Sequence, residues 1–204
     1  MKNKIILYFL LILTFTSFTL PLIKAEEKVY KIIRLVNDQV ITNFDLEQRI
    51  RMAVLLNNVE VSNENLDIIA NEILSMMVDE KLQSEKILEY NIIVNNDDII
   101  DYIERLYSVN NINMDDISKI LKENNIDINI LTEFVRVNLG WNRLAGRLYY
   151  RTSKVSKTET DKLMNLRKDL SKTEAESLLR QEQIGLKAKR LLRDIKNEAN
   201  IENR

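Results

Sequence analysis

The stretch ILTEFVRVNLGWNRLAGRLYYR, residues 130–151, is the most apolar helical pattern in the body of the chain. Ile130, Phe134, Val137, Trp141, Leu144 and Leu148 recur at alternating steps of four and three residues, and Leu131, Val135 and Leu139 widen the stripe. A face this broad is buried on more than one side, so this helix is expected at the centre of the fold. Asp127 or Asn129 is placed to begin it. Gly140 and Gly146 weaken it locally, by about 1 kcal/mol each relative to alanine.

Upstream, the sequence divides into shorter amphipathic segments. Asn95 or Asn96 caps a helix carrying Ile99, Ile103, Leu106 and Tyr107, and a further short helix carries Met114, Ile117, Ile120 and Leu121. The polar clusters Asn110 to Asn113 and Glu123-Asn124-Asn125 close these segments. Before them, Ser62 or Asn63 opens a long helix to about Tyr90, with a stripe of Leu66, Ile69, Ile73, Met76 or Met77, and Ile87. Thr42 or Asn43 caps a helix from Phe44 whose inner face is Leu46, Ile50 and Ala53; Asp45 and Glu47 sit in its first turn, where the helix dipole favours negative charge. Val29 to Thr42 reads as a hairpin, because β-branched residues flank Asn37-Asp38 and both turn residues tolerate positive φ.

Downstream, residues 152–170 form a connector holding a short charged helix capped by Ser156. Ser171-Lys172-Thr173-Glu174 has the capping-box spacing, in which hydroxyl and carboxylate each satisfy a free backbone group at a helix start. The helix that follows carries Leu178, Ile184, Ala188, Leu191 and Ile195, and Ala199 to Glu202 is placed to add a strand to the hairpin, which is marginal alone. With three glycines and one proline in the whole chain, the punctuation of an all-β fold is missing. The fold class expected is mainly α, with a small amino-terminal β-hairpin joined by a short carboxy-terminal strand.

Lys2 and Lys4 precede an apolar and hydroxyl run from Ile5 to Leu20, followed by Ile23-Lys24-Ala25. That is the layout of a secretory signal peptide cut after Ala25. The alternative is a membrane anchor, for which the run is short of the roughly 18 apolar residues required. Residues 26–204 then form one domain: hairpin 29–42, helical core 44–151, connector 152–170, closing helix and strand 171–204.

The full chain has 30 basic and 31 acidic side chains, and the leader takes lysines only, so the remainder is mildly acidic. Nucleic acid is an unexpected partner for such a balance. Histidine and cysteine are both absent, which removes imidazole- and thiol-based nucleophile systems and the usual zinc ligands. Carboxylate-only chemistry is left open by composition.

Three stretches together resemble the SurA family of periplasmic chaperones. They are Val36-Asn37-Asp38-Gln39-Val40-Ile41-Thr42 with Asp45-Leu46; Met77-Val78-Asp79-Glu80-Lys81-Leu82 with Ile93-Val94 and Asp97-Asp98-Ile99; and the closing helix and tail. The resemblance implies a multi-helix domain of the SurA and trigger-factor peptide-binding type, working in the periplasm without ATP or any cofactor. It implies a holdase for unfolded outer-membrane polypeptides, with membrane contact only through an uncut leader. Family members usually carry parvulin-type prolyl isomerase domains between the helical core and the final helix. Here about 20 residues separate the two, against typical domain sizes of about 100 residues, and the histidines of that active site are missing. No enzymatic activity is expected, and isomerisation rests on the family label alone.

Under this reading the residues expected to meet clients are Met52, Leu55, Leu56, Met76, Met77, Met114, Trp141 and Tyr149, since methionine and aromatic side chains adapt to varied partners. The same residues at helical spacing also suit an ordinary core. A different class of function, a structural or adaptor subunit for one folded periplasmic partner, would use the same apolar faces.

Overall fold

The computed structural model describes residues 30–57, 62, 64–107 and 113–204. The leader at 1–25, Val29 of the hairpin, Asn58, Asn63 and residues 110–112 lie outside the described residues. The chain is mainly α-helical with a small antiparallel sheet: β1 Ile32–Val36, β2 Gln39–Thr42, α1 Asn43–Asn57, α2 Leu66–Glu89, α3 Asn96–Tyr107, α4 Met114–Glu123, α5 Ile128–Tyr149, α6 Lys157–Leu166, α7 Lys172–Glu198 and β3 Ile201–Asn203. A 3-10 turn, Tyr150–Thr152, follows α5.

Asparagine does the turning that glycine does elsewhere. Asn37, Asn91 and Asn125 are the described non-glycine residues with positive φ, at 50°, 51° and 55°. Asn37 makes the hairpin turn. Asn91 and Asn125 end α2 and α4 in the same way: in each case the asparagine N–H and the next residue's N–H fold back onto carbonyls of the last turn, Leu88 and Ile87 in one, Lys122 and Leu121 in the other. Helix starts are equally explicit. Asn113 with Asp116, Ser156 with Glu159 and Ser171 with Glu174 form reciprocal capping boxes, and Asp127 caps α5 through Asn129. Thr42 and Asp45 exchange the same pair of bonds at the start of α1.

The sheet order is β2-β1-β3, so the carboxy-terminal strand lies on the free side of the hairpin, with Val36 opposite Ile201. Asn37 fastens this closure. Its N–H donates to the Asn200 carbonyl at 2.8 Å, its side-chain oxygen accepts from Asn200 N at 2.9 Å, and its Nδ2 donates to Glu85 on α2 at 2.8 Å. Gln39 adds bonds to the Lys81 carbonyl and to Glu85. Beneath the sheet, Val36 and Ile41 pack on Leu74, Val78 and Leu82, with Leu192, Ile195, Ala199 and Ile201 closing from the carboxy terminus. Lys196 pairs with Asp79 at 2.6 Å across the same contact.

A second core joins Met52 of α1 to Ile99, Ile103, Ile117, Leu121, Leu131 and Val135. The third, at the far end of α5, holds Ile87, Trp141, Leu144, Ala145 and Ala188. Helix α5 supplies side chains to both, as its broad stripe requires. Helices α2 and α5 run in the same sense, because Arg49 bridges Glu80 to the Ile130 carbonyl, Ile87 faces Gly140, and Arg147 reaches the Tyr90 carbonyl in succession. Arg136, Arg143 and Arg147 on α5 donate to the carbonyls of Val94, Ile93 and Tyr90 and so hold the α2–α3 link in place.

Four helical faces differ from the expectation. On α1 the fully buried positions are Gln48, Arg49 and Met52, while Leu46, Ile50 and Ala53 are half-buried. This helix is wedged between α2 and α5, and its polar side chains reach backbone and charged partners that apolar periodicity does not register. On α2 the buried set is Ile73, Leu74, Val78, Leu82 and Ile87, of which Leu74, Val78 and Leu82 face the sheet, and Leu66 and Met76 are left 40% and 50% exposed. Leu106 and Leu178 are also exposed, at 55% and 44%. The first half of α7 meets the small helix α6 and buries Ala175 instead of Leu178.

The two α5 glycines separate cleanly. A Cβ on Gly140 would lie 2.9 Å from Ile87 Cδ1 and 3.2 Å from two further Ile87 atoms, whereas one on Gly146 would meet nothing within 4 Å. Gly146→Ala is therefore expected to raise stability by about 1 kcal/mol through helix propensity. Gly140→Ala loses that gain to repacking at the α2–α5 contact, which costs about 1–3 kcal/mol. Urea denaturation of both variants measures the contrast.

Candidate functional site

Because α2 and α5 meet at Ile87 and Gly140 but are spread apart nearer their starts by α1, a groove opens between them. Its first part, a cleft of roughly 260 Å³, is lined by Gln39, Asp45 and Arg49 and by facing side chains of α2 and α5, among them Met77, Ile130, Phe134 and Val137. The second part, of roughly 330 Å³, adjoins the first through Ser84, Glu133 and Val137 and is walled by Ile87, Leu88, Ile92, Ile93 and Val94. Leu88 and Ile93 are each 73% exposed, so the apolar lining reaches the surface. The floor is thus greasy and the rim polar at one end, and at the other the walls are mainly apolar, with Ser84, Glu133 and Arg136 among the lining.

Arg49 anchors the polar end. The residue is 7% exposed, and its guanidinium pairs with Glu80, donates to the Ile130 carbonyl at 3.3 Å and lies 4.0 Å over the Phe134 ring. Burial pushes the Glu80 carboxyl above the usual carboxylate range and the Arg49 guanidinium below its own, with the attraction between the two opposing both shifts. Beside it, Gln48 donates to the Asn125 carbonyl and accepts from Asp127 N, both at 3.2 Å, which fixes the α4–α5 turn against α1. These contacts hold α1 as a spacer and keep the groove from collapsing.

The residues proposed from sequence fall in several places. Met77 lines the groove. Met52 and Trp141 are buried in separate cores, at 5% and 9% exposure. Leu55, Leu56 and Met114 pack as half-buried side chains on the Met52 core, and Tyr149 packs on the Trp141 core beside Lys187. Met76 points outward on α2, away from both clefts. The structure therefore does not gather the eight residues at one surface. Sequence reasoning did not single out Arg49, Glu80, Leu88 or Ile93 as site residues. An arginine one position from the apolar face of α1, and two apolar residues flanking a helix-ending asparagine, are the available signals.

Among the described residues no group of three or more acids is placed to hold a metal ion, and no helix is long and apolar enough to cross a membrane. The chain is by its architecture a mainly-α protein with a three-stranded antiparallel sheet closed by its own tail. No family model and no curated protein matches the sequence. Among solved structures it is similar to a chain from work on PEB4 and Cj1289, described as two structurally related SurA-like chaperones of Campylobacter jejuni. The identity is 18% and the TM-score 0.37, over 68% of this chain and 50% of that one. The protein spans about half the length of that structure, and a likeness so distant supports no conclusion about function.

Proposed function

We propose that the protein is an ATP-independent holdase that binds unfolded outer-membrane polypeptides in the periplasm and keeps them from aggregating. The observation that carries this reading is the groove between α2 and α5, whose apolar walls continue to the surface at Leu88 and Ile93. Unfolded β-barrel segments alternate apolar and polar side chains in extended chain. A concave apolar surface with a polar rim suits them, and Met77 supplies an adaptable wall. The leader pattern at residues 1–25 supports export, and the three SurA-like stretches support the same class.

The purified protein is expected to suppress aggregation of a urea-unfolded β-barrel protein, followed by light scattering on dilution, at near-equimolar ratio and without nucleotide. Absence of suppression across a wide range of ratios removes the proposal. Recovery of a single stoichiometric folded partner in its place would make the protein an adaptor subunit.

A further inference from the structure

Resting on the holdase reading, we infer that the α2–α5 groove selects a short extended segment that is apolar at one end and acidic at the other, with Lys81 receiving the acidic side chain. The length follows from the lining. Met77 and Leu88 mark the two ends along α2, eleven residues apart, which at a rise of about 1.5 Å per residue is about 16 Å. An extended chain covers that distance in about five residues.

The charge preference follows from which groove side chains are already engaged. Glu80 holds Arg49, and Glu133 holds Arg136, which also donates to the Val94 carbonyl and Asn96. Asp45 accepts from the N–H and hydroxyl of Thr42. Among the described residues, Lys81 is then the lining cation with no ion-pair partner, and it sits at the Gln39 end of the groove. The opposite end, around Ile87, Leu88, Ile92 and Ile93, offers a charged side chain no counterpart beyond the Glu133–Arg136 pair. A charged side chain placed there gains no ion pair. An acidic group beside Lys81 gains an ion pair, and a basic one meets a like charge there.

The test uses end-blocked, fluorescently labelled pentapeptides with leucine at alternate positions and Gln, Glu or Lys at one terminal position, read by anisotropy with the full protein. The Glu peptide is expected to bind about 3-fold tighter than the Gln peptide and the Lys peptide more weakly than either, the size of a partly exposed ion pair. Lys81→Glu reverses the order and Lys81→Gln abolishes the preference, with urea unfolding of each variant as the control for folding. Equal affinities for all three peptides, with aggregation suppression intact, overturn the charge preference alone. No binding of any peptide together with no suppression overturns the holdase reading as well.

Discussion

Arg49→Met alone is expected to lower the unfolding free energy by about 3 kcal/mol, because it strands a mostly buried Glu80 carboxylate without its partner. Glu80→Leu alone strands the guanidinium and costs a similar amount. The double variant, Arg49→Met with Glu80→Leu, recovers most of the loss, since the cost of desolvating two charges largely cancels their attraction. The shifts at the site point the same way: burial is the largest influence on both groups and disfavours both charged forms. Urea denaturation of the four proteins closes the double-mutant cycle. Additive losses would mean that the two side chains are not coupled, and that α1 is held between α2 and α5 by something else.

Asn37→Ala is expected to cost about 3 kcal/mol. Alanine at φ 50° pays about 1 kcal/mol for the left-handed backbone, and the bonds to Glu85 and Asn200 contribute about 1 kcal/mol each. Asn37→Gly keeps the backbone conformation and loses only the side-chain bonds, so it should cost about 2 kcal/mol. Hydrogen exchange adds a local readout: in both variants the amides of β3 lose protection more than those of α3 and α4, which the hairpin does not touch. Losses below 0.5 kcal/mol, or uniform exchange, would show that the tail is not fastened through this turn.

Much of this architecture is written locally. The caps at Ser156 and Ser171, the hairpin turn at Asn37, the helix end at Asn125 and the wide stripe of α5 each depend on a few neighbouring residues, and each forms where the sequence places it. The return of β3 to the hairpin was legible for a different reason, since a two-stranded ribbon needs a third strand and the tail offers one. What could not be read was the rotation of α1 and α2. Gln48 and Arg49 are buried because Asn125, Asp127, Ile130 and Glu80 stand opposite them, and those partners are 31 to 81 residues away in sequence. The groove was hidden by the same fact. Methionine and tryptophan were natural candidates by chemistry, yet Met52 and Trp141 are needed to fill cores, and the open apolar surface falls to Leu88 and Ile93 beside a helix end.

Photocrosslinking from single positions to an unfolded β-barrel protein tests the groove most directly. A photoreactive side chain in place of Leu88 or Ile93 should capture the client, and the neutral pentapeptide should compete. The same group in place of Leu166 or Leu186, which are 75% and 52% exposed but outside the groove, should capture little. Equal capture at all four positions, or capture only at Leu166 and Leu186, would contradict the assignment of client binding to the space between α2 and α5.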